Sequence, residues 1–457
     1  MNDASPTPSP HARLNPLVSG PILPTLARLT LPTTVATAGT ALVAIAETAY
    51  VGRLGTEPLA AMALVFPMVM LMQMTSSGAM GGGVSAAVSR ALGNGDEARA
   101  SALAVHAAVI GLVAGVGFAV ALLAFGPALY RLMGGQGGAL AQAIAYSNTV
   151  FLGAISVWIT NSMAAVIRGT GNMLVPSATI FLVAAMQIVI GGTLGLGLGP
   201  FPRLGMPGIA LGQVVAFTTG AVVLLWFLLS GRGRLKLRVR EVALQRSMFS
   251  DILKVGLPAC LSPLQSVLVI LVFASLVARF GTQALAGYGI GSRLEFLLMP
   301  IAVSIGVASV PMVGMAIGAG DVDRARRVAW TAASVAGGFL GSAGILVGIF
   351  PDLWARLFTS DPVVLDAAHH YLRWIGPSYL FFGVGIGLFF GSQGAGNVIG
   401  PVTASSVRLL IIAGVGWWVM SIGAPLWVLF AVAGCGTAAY GILTAVIVYF
   451  TPWRARR

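Results

Sequence analysis

Two stretches of the chain, VGRLGTEPLAA at residues 51–61 and VARFGTQALAG at residues 277–287, are identical at six of eleven positions. Two further pairs follow in the same order: GNGDEARA at 93–100 with GAGDVDRA at 318–325, and RGTGNMLVP at 168–176 with QGAGNVIGP at 393–401. The three offsets are 226, 225 and 225 residues, close to half of the 457-residue chain. The sequence therefore indicates two tandem copies of one unit.

The sequence around these segments is strongly apolar. Hydrophobic residues make up 57% of the chain and charged residues 9%, whereas a soluble domain carries roughly a quarter charged residues. Backbone groups in lipid must be hydrogen-bonded within the spanning segment, which favours helices of about 20 apolar residues. We therefore predict an all-α polytopic membrane protein. Twelve transmembrane helices are predicted, at about residues 28–52, 59–88, 101–126, 142–166, 175–197, 208–230, 252–278, 284–316, 328–351, 368–390, 401–420 and 425–450.

Six helices separate equivalent segments, and because six is even the two halves share one orientation in the membrane. We predict two parallel-repeat lobes of six helices each, arranged around a central cleft. The predicted parts are a disordered cytoplasmic tail at 1–24, an N-lobe of helices 1–6 at 25–230, a basic cytoplasmic linker at 231–250, a C-lobe of helices 7–12 at 251–451 and a basic C-terminal tail at 452–457.

The formal net charge is +13, and its distribution predicts how the chain crosses the membrane. With the N-terminus inside, the cytoplasmic segments hold 18 of the 26 Lys and Arg residues and the external loops hold five. This is the positive-inside bias, so we predict a multi-pass protein of the cell (inner) membrane with both termini in the cytoplasm. We expect the basic cluster between helices 6 and 7 to contact anionic headgroups of membrane lipids, and no nucleic acid to be a partner.

Several chemistries are missing from the sequence. The phosphate-loop pattern GxxxxGK[ST] does not occur, and the only lysines are Lys236 and Lys254. The four histidines and two cysteines follow no metal-ligand or disulfide spacing, and no pairing of a nucleophile with a base is evident. We therefore expect no enzymatic activity, no cofactor and no bound metal. A transporter with this sequence must draw its energy from an ion gradient.

One acidic residue lies deep in an apolar run, Glu47 in ALVAIAETAYVG at residues 41–52. Burial disfavours the charged form of a carboxylate, and ionisable groups inside a membrane are functional candidates because they are costly. Such a group can take up a proton from an acidic exterior and release it inside. A cationic substrate could compete with the proton for Glu47, which is the simplest basis for antiport. The alternative is a structural carboxylate paired with a hydroxyl, an amide or an arginine.

Three more charged residues in the predicted helices are candidates for the wall of a substrate cavity. Arg293 and Glu295 in helix 8 point in different directions because they are only two residues apart. One of them faces the cavity, or they form interhelical ion pairs that fix the packing. Arg408 in helix 11 lines the cavity, or its side chain reaches back toward the membrane interface.

Uncharged polar residues complete the predicted cavity. Gln187 in helix 5 and Gln265 in helix 7 either line the cavity or form hydrogen bonds between helices. Tyr50 lies about one helical turn after Glu47 and is the last of the residues that we predict to line the cavity.

The repeated segments, together with AETAYVGRLG at 46–55, PFPRLGMPGIAL at 200–211 and PMVGMAIGAGDVDRA at 311–325, resemble the multidrug and toxic compound extrusion (MATE) transporters. The resemblance covers residues 25–450 and is nearer to the DNA-damage-inducible-F-like branch than to the NorM branch. It implies a cation antiporter, driven by H+ or Na+, that expels organic cations and other small molecules through a cleft between two lobes.

The resemblance also implies roles for single residues. The family usually has aspartate at the position of Glu47, so this chain keeps the carboxylate and adds one methylene. Helix 5 of the family commonly supplies an asparagine and a second polar residue four positions on, where this chain has Gln187 and Gly191. NorM-type members have carboxylates in helices 7 and 10 that resemble a Na+ site, and this chain has none around Gln265 or at 379–391. The resemblance therefore implies H+ rather than Na+ as the coupling ion.

We predict a secondary active exporter of organic cations and other amphipathic small molecules that is coupled to H+, works by alternating access and is a monomer. One alternative is a flippase for lipid-linked or amphiphilic intermediates, which needs a strongly cationic cavity for which only Arg293 and Arg408 are available. Another is a non-transporting membrane scaffold, which the lack of a polar group at Gly191 favours.

Buried polar residues are not duplicated between the two copies. When the two copies are aligned at the repeat offsets, Glu47 corresponds to Phe273 and Gln187 corresponds to Ile412. The sequence therefore predicts two unlike inner surfaces, with a carboxylate in the N-lobe and an arginine in the C-lobe.

Overall fold

The computed structural model describes residues 16–237 and 242–453, and every regular element in those ranges is helical. The described helices of the first half are α1 (Pro16–Ser19), α2 (Ile22–Leu54), α3 (Thr56–Met74), α4 (Gly81–Gly93), α5 (Glu97–Leu132), α6 (Gly137–Leu152), α7 (Ala154–Gly169), α8 (Leu174–Leu196) and α9 (Met206–Leu229). Those of the second half are α10 (Arg246–Ala259), α11 (Leu261–Ala278), α12 (Thr282–Gly318), α13 (Val322–Ile349), α14 (Asp352–Ala355), α15 (Pro362–Ile375), α16 (Tyr379–Ala395), α17 (Ile399–Leu410), α18 (Gly416–Ser421) and α19 (Leu426–Phe450). Shorter turns join some of them: π-helical Thr75–Met80 and Ile411–Val415, and 3-10-helical Gly376–Ser378.

The apolar helices in the described ranges give the predicted number of membrane spans. Eleven are long and apolar enough to cross a membrane, and the twelfth span is a pair, α6 and α7, that bends by 44°. The bend lies at Gly153, where a Cβ atom would be 2.6 Å from the Val214 side chain of α9. The prediction of an all-α protein with twelve spans is confirmed. The single helix predicted at 142–166 is two helices, because the chain breaks at this glycine.

The duplicated segments form the same turns in both halves. Gly95 and Gly320 have φ angles of 78° and 84°, a left-handed conformation that glycine adopts without a Cβ clash. The next residue in each copy, Asp96 or Asp321, caps the following helix, since its side chain accepts the backbone N–H three residues on at 2.8 Å. Both copies of this segment therefore form the same tight turn at a glycine.

The arginine three residues after each capping aspartate contacts a different segment of the chain with its side chain. Arg99 forms an ion pair with Asp251 of α10. Arg324 donates from Nη2 to the carbonyl oxygens of Leu17, at 3.3 Å, and Gly20, at 2.6 Å. Each arginine therefore holds the segment that leads into the first long helix of the other half.

Contacts divide the described chain into two compact units whose boundaries follow the repeat. One unit holds Leu31–Leu92 and Asp96–Gly256, and the other holds the described residues up to Thr30, Gly93–Gly95 and the chain from Leu257 onward. The first long helix of each half therefore begins in the unit formed mainly by the other half. The two changeover points, after Thr30 and after Gly256, are 226 residues apart, which is the repeat offset.

The beginning of the chain differs from the predicted disordered tail at 1–24. Helix α1 starts at Pro16 and α2 starts at Ile22, while residues 1–15 lie outside the described ranges. Proline suits the first position of a helix, and Leu17 is buried, so this apolar stretch gains from packing as a helix.

The basic linker predicted at 231–250 is also shorter than expected. Helix α10 already begins at Arg246, and residues 238–241 lie outside the described ranges. Residues 454–457 of the predicted basic C-terminal tail lie outside them as well.

Helices α13 and α16 pack backbone against backbone. Helix α16 has glycine at every fourth position, Gly383, Gly387 and Gly391, so these glycines share one face. A Cβ atom at Gly387 would lie 2.5 Å from the Ala333 Cα of α13, and one at Gly391 would lie 2.6 Å from the Ala329 Cβ. Small residues allow membrane helices to approach this closely.

Candidate functional site

The structure brings Glu47 and Gln187 together. Glu47 of α2 and Gln187 of α8 are each 7% exposed, and Gln187 Nε2 donates to Glu47 Oε1 at 2.8 Å. No lysine, arginine or histidine forms an ion pair with Glu47 in the described part of the chain. The carboxylate therefore has a neutral partner and no countercharge in contact with it.

Close packing of α2 against α8 positions this pair. A Cβ atom at Gly39 of α2 would lie 3.2 Å from the Phe181 ring of α8, and one at Gly192 of α8 would lie 2.8 Å from Tyr50 Cζ. The two glycines thus let the helices approach on either side of the polar pair. Tyr50, a predicted cavity residue, packs its ring over Gly192. The buried Tyr146 of α6 interacts electrostatically with Glu47.

Gly191, the position at which the resemblance implies a second polar residue, packs against the next helix. A Cβ atom at Gly212 of α9 would lie 2.5 Å from the Gly191 Cα. A Cβ atom at Gly191 itself would lie 3.4 Å from the Ile209 carbonyl oxygen. The lack of a polar group here therefore accompanies a close approach of α8 to α9.

A second polar group in the same unit was not predicted. Asn161 Nδ2 of α7 donates to Ser76 Oγ at 2.8 Å and to Gln73 Oε1 at 3.4 Å. Ser76 lies in the π-helical turn Thr75–Met80, an arrangement that is rare and frequent at functional sites. The signal in the sequence was the polar run from Gln73 to Ser77 within an otherwise apolar helix.

Glu295 of α12 is a carboxylate of the second half at a different position in the repeat, and two tyrosines donate hydrogen bonds to it. Tyr371 of α15 and Tyr379 of α16 both donate their hydroxyl to Glu295 Oε1, at 2.5 and 3.1 Å. The Tyr288 ring meets the Tyr371 ring edge to face, with centroids 5.5 Å apart. None of these tyrosines was among the predicted site residues, because each lies in a helix that reads as an apolar span.

Arg293 and Glu295 point in different directions, as their spacing predicts. Arg293 is exposed, and its guanidinium lies 5.2 Å from the centroid of the Phe358 ring. Neither residue forms an ion pair in the described ranges, so the interhelical ion pairs considered from the sequence are not observed there.

Arg408 of α17 lies beside the Glu295 cluster. Its guanidinium is 4.6 Å from the centroid of the Phe382 ring, and it interacts electrostatically with Glu295 and Tyr440. The buried Nε has no hydrogen-bond partner among the described residues. This side chain packs on an aromatic ring of α16.

Gln265 forms a bond between helices. Its Nε2 donates from α11 to the Ser406 hydroxyl of α17 at 2.7 Å, and its buried Oε1 has no partner in the described part of the chain. The predicted site residues therefore fall into two groups, Glu47, Gln187 and Tyr50 in one unit, and Glu295, Arg408 and Gln265 in the other.

Comparison with known proteins shows to which family a chain with this architecture belongs. The sequence model of the MatE family matches residues 32–193 and again residues 258–418. The starts of the two matches are 226 residues apart and the ends are 225 apart, so both matches follow the internal repeat.

Individual proteins are similar along most of the chain. The FAD transporter of Shewanella oneidensis is 25% identical over 356 residues, which cover 78% of each chain. The probable multidrug resistance protein YoeA of Bacillus subtilis is 26% identical over 363 residues, or 78% of this chain and 77% of that one. The structure of a MOP superfamily transporter from Pyrococcus furiosus has the same fold, with a TM-score of 0.87 at 22% identity, over 97% of this chain and 98% of that chain.

Twelve apolar spans in two repeated halves, with isolated polar groups buried between the helices, define a multi-pass membrane transporter rather than an enzyme. The chain belongs to the MatE family of transporters, which handle small molecules. The resemblance to this family is thereby confirmed, while the nearer likeness to its DNA-damage-inducible-F-like branch stays a prediction.

Proposed function

We propose that the protein exports organic cations and other amphipathic small molecules in exchange for H+ by alternating access. The observation that supports this best is the buried Glu47 carboxylate, whose hydrogen-bond partner in the described residues is the Gln187 amide at 2.8 Å. An ionised carboxylate there is buried and has no ion-pair partner among the described residues, which is costly. A proton or a cationic substrate removes that cost, so the two compete for Glu47.

The Gln187 amide suits a group that gains and loses a proton. Its Nε2 donates to Oε1, and this oxygen accepts the bond whether or not the other carboxyl oxygen carries a proton. The Glu47 side chain thus keeps its orientation in both states. The same geometry disfavours Na+, which transporters bind through oxygen atoms, because Gln187 presents an N–H donor to the site.

Glu295 has a different role in the proposal. Two tyrosine hydroxyls donate hydrogen bonds to one oxygen of the Glu295 carboxyl group, whereas Glu47 has an amide partner. We assign coupling to Glu47 and a structural role to Glu295.

The distribution of positive charge supports an orientation of the chain in the membrane. We propose that both termini are cytoplasmic and that the protein lies in the inner membrane as a monomer. Glu47 is seven residues before the end of α2, so it lies nearer the exterior, where protons enter.

Transport by the wild-type protein in liposomes tests the coupling. A gradient of about one pH unit, acidic inside, is worth about 1.4 kcal/mol per proton. We expect it to concentrate ethidium in the lumen by up to about tenfold for each proton exchanged, and we expect an ionophore that collapses the gradient to release the dye. A Na+ gradient at equal pH should move no ethidium. Accumulation with Na+ alone would show the coupling ion to be wrong, and no gradient-dependent movement of any probe would contradict export.

A second substrate class, anionic aromatic molecules, is favoured by Arg408. Its guanidinium lies over Phe382 and its Nε has no partner among the described residues, which suits a planar ligand with a carboxylate or phosphate. The relative from Shewanella oneidensis is a FAD transporter, so FAD is the probe to use.

Replacing Arg408 with glutamine separates the two substrate classes. Because a hydrogen bond to a charged group contributes about 1.5–3 kcal/mol, we expect at least about tenfold slower FAD movement and little change for ethidium. Arg356→Gln is the matched control, since this arginine is exposed and pairs with Asp352 on the surface. Equal FAD transport by Arg408→Gln and the control would exclude Arg408 as the anion site.

A further inference from the structure

A groove of about 560 Å³ lies between the first turn of α2 and the first turns of α13. Apolar side chains make up most of it, with one arginine at one end. Its lining residues are Ile22, Leu23, Arg327, Trp330, Thr331, Ser334 and Val335. The groove belongs to one compact unit, because the residues before Leu31 are part of the unit that contains α13.

Three arginines at the start of α13 make different contacts. Arg324 holds the carbonyl oxygens of Leu17 and Gly20, and Arg326 Nη2 donates to the Thr451 carbonyl oxygen at 2.8 Å. The exposed Arg327 lines the groove, and its guanidinium has no hydrogen-bond or ion-pair partner in the described ranges. Arg327 is the one charged residue among those that line the groove, so the groove itself has a cationic end.

We propose that the groove binds one phospholipid with an anionic headgroup, with the phosphate at Arg327 and an acyl chain along the apolar floor. Arginine binds phosphate through strong charge-assisted hydrogen bonds, and Trp330 is the residue type enriched where headgroups meet hydrocarbon. The lining from Arg327 to Val335 runs over about 12 Å of helix, which places the apolar floor directly below the charged end.

The chemistry distinguishes a lipid from a soluble anion. Arg327 alone would suit free phosphate, but Ile22, Leu23 and Val335 offer nothing to a hydrophilic ligand. An acyl chain buries apolar surface on these residues, at roughly 25 cal/mol for each Å². A lipid in the groove would contact both α2 and α13, so it would also stabilise the first turn of α2, next to the segment that Arg324 holds in place.

The groove residues are not repeated at the equivalent position of the first half. At the repeat offset of 225, Arg327 corresponds to Ala102 and Trp330 corresponds to Val105. The first half therefore lacks both the cation and the aromatic ring. The stoichiometry that we expect is one specifically bound lipid for each protein.

Native mass spectrometry of the full-length protein in detergent, titrated with phosphatidylglycerol or phosphatidylcholine, tests the proposal. We expect one phosphatidylglycerol to be retained preferentially by the wild type. Arg327→Gln should weaken that retention about tenfold, because it removes a charged hydrogen-bond donor. Ser334→Trp, which fills the groove from an exposed position, should weaken retention of both lipids. The control is Arg246→Gln, which removes an exposed arginine outside the groove.

Three results would overturn the proposal. The two lipids could bind the wild type equally, or Arg327→Gln could retain phosphatidylglycerol as well as Arg246→Gln does. Alternatively, inorganic phosphate or glycerophosphoglycerol, which carries the headgroup without acyl chains, could displace the lipid at matched concentration, which would indicate an anion site without an apolar part. Circular dichroism melting of each variant without added lipid separates loss of binding from loss of fold.

Discussion

Replacing Glu47 with glutamine is expected to abolish proton-driven export. The substitution removes the titratable group but keeps an oxygen that can accept the 2.8 Å hydrogen bond from Gln187, so we expect the variant to fold. Without a carboxylate, neither a proton nor a cationic substrate gains charge compensation at this position. Ethidium accumulation in liposomes with an acidic lumen should therefore fall to the level of protein-free liposomes.

Two other substitutions make this result specific. Glu57→Gln is the matched control, because Glu57 is an exposed glutamate of the same unit, and it should transport like the wild type. Glu47→Asp keeps the carboxylate and should retain coupled transport at a lower rate, since the shorter side chain lies farther from Gln187. If Glu47→Gln transports normally while Glu295→Gln does not, coupling belongs to the second half and the assignment to Glu47 is wrong.

Replacing Gly387 with leucine should cause the largest loss of stability. A Cβ atom at this position would lie 2.5 Å from the Ala333 Cα, which is part of a backbone and cannot rotate away. The larger side chain must separate α13 from α16. Overpacking of this kind costs about 3 kcal/mol, which corresponds to a fall of roughly 3–6 °C in the unfolding temperature.

A leucine elsewhere in the same helix pair provides the comparison. A Cβ atom at Gly338 of α13 would have no atom within 4 Å, so Gly338→Leu should change stability by no more than about 0.5 kcal/mol. Thermal unfolding in detergent, followed by the fluorescence of a thiol probe or by light scattering, measures both variants. Equal unfolding temperatures would show that the close approach of α13 to α16 does not limit stability.

The features that could be predicted from the sequence are those with local causes. Apolar length predicts the spans, and the repeated Gly-x-Gly-Asp segments predict the turns, since the left-handed angles of Gly95 and Gly320 favour glycine. Gln187 and Glu47 were each predicted as polar residues within spans. Their contact was not, because 140 residues separate them and only the packing of α2 on α8 decides which polar groups meet.

Tertiary contacts also explain what was missed. Tyr371 and Tyr379 lie in helices whose apolar composition predicts only a span, and the hydrogen bonds to Glu295 depend on how α12, α15 and α16 pack. The π-helical turn at Thr75–Met80 has no distinctive residue pattern. From the sequence, Gly191 was interpreted as the loss of a polar group. In the structure it allows α8 to approach α9 closely, and a sequence alone does not distinguish these two reasons for a glycine.

The symmetric changeover points after Thr30 and Gly256 bear on how a chain of this kind originates. A single copy of the repeat would have nowhere within itself to place the first turns of its first long helix. Two copies can each accept that segment from the other, as Arg324 does for Leu17 and Gly20. We therefore expect the unduplicated ancestor to have been an obligate pair with exchanged segments, which gene fusion later joined in one polypeptide.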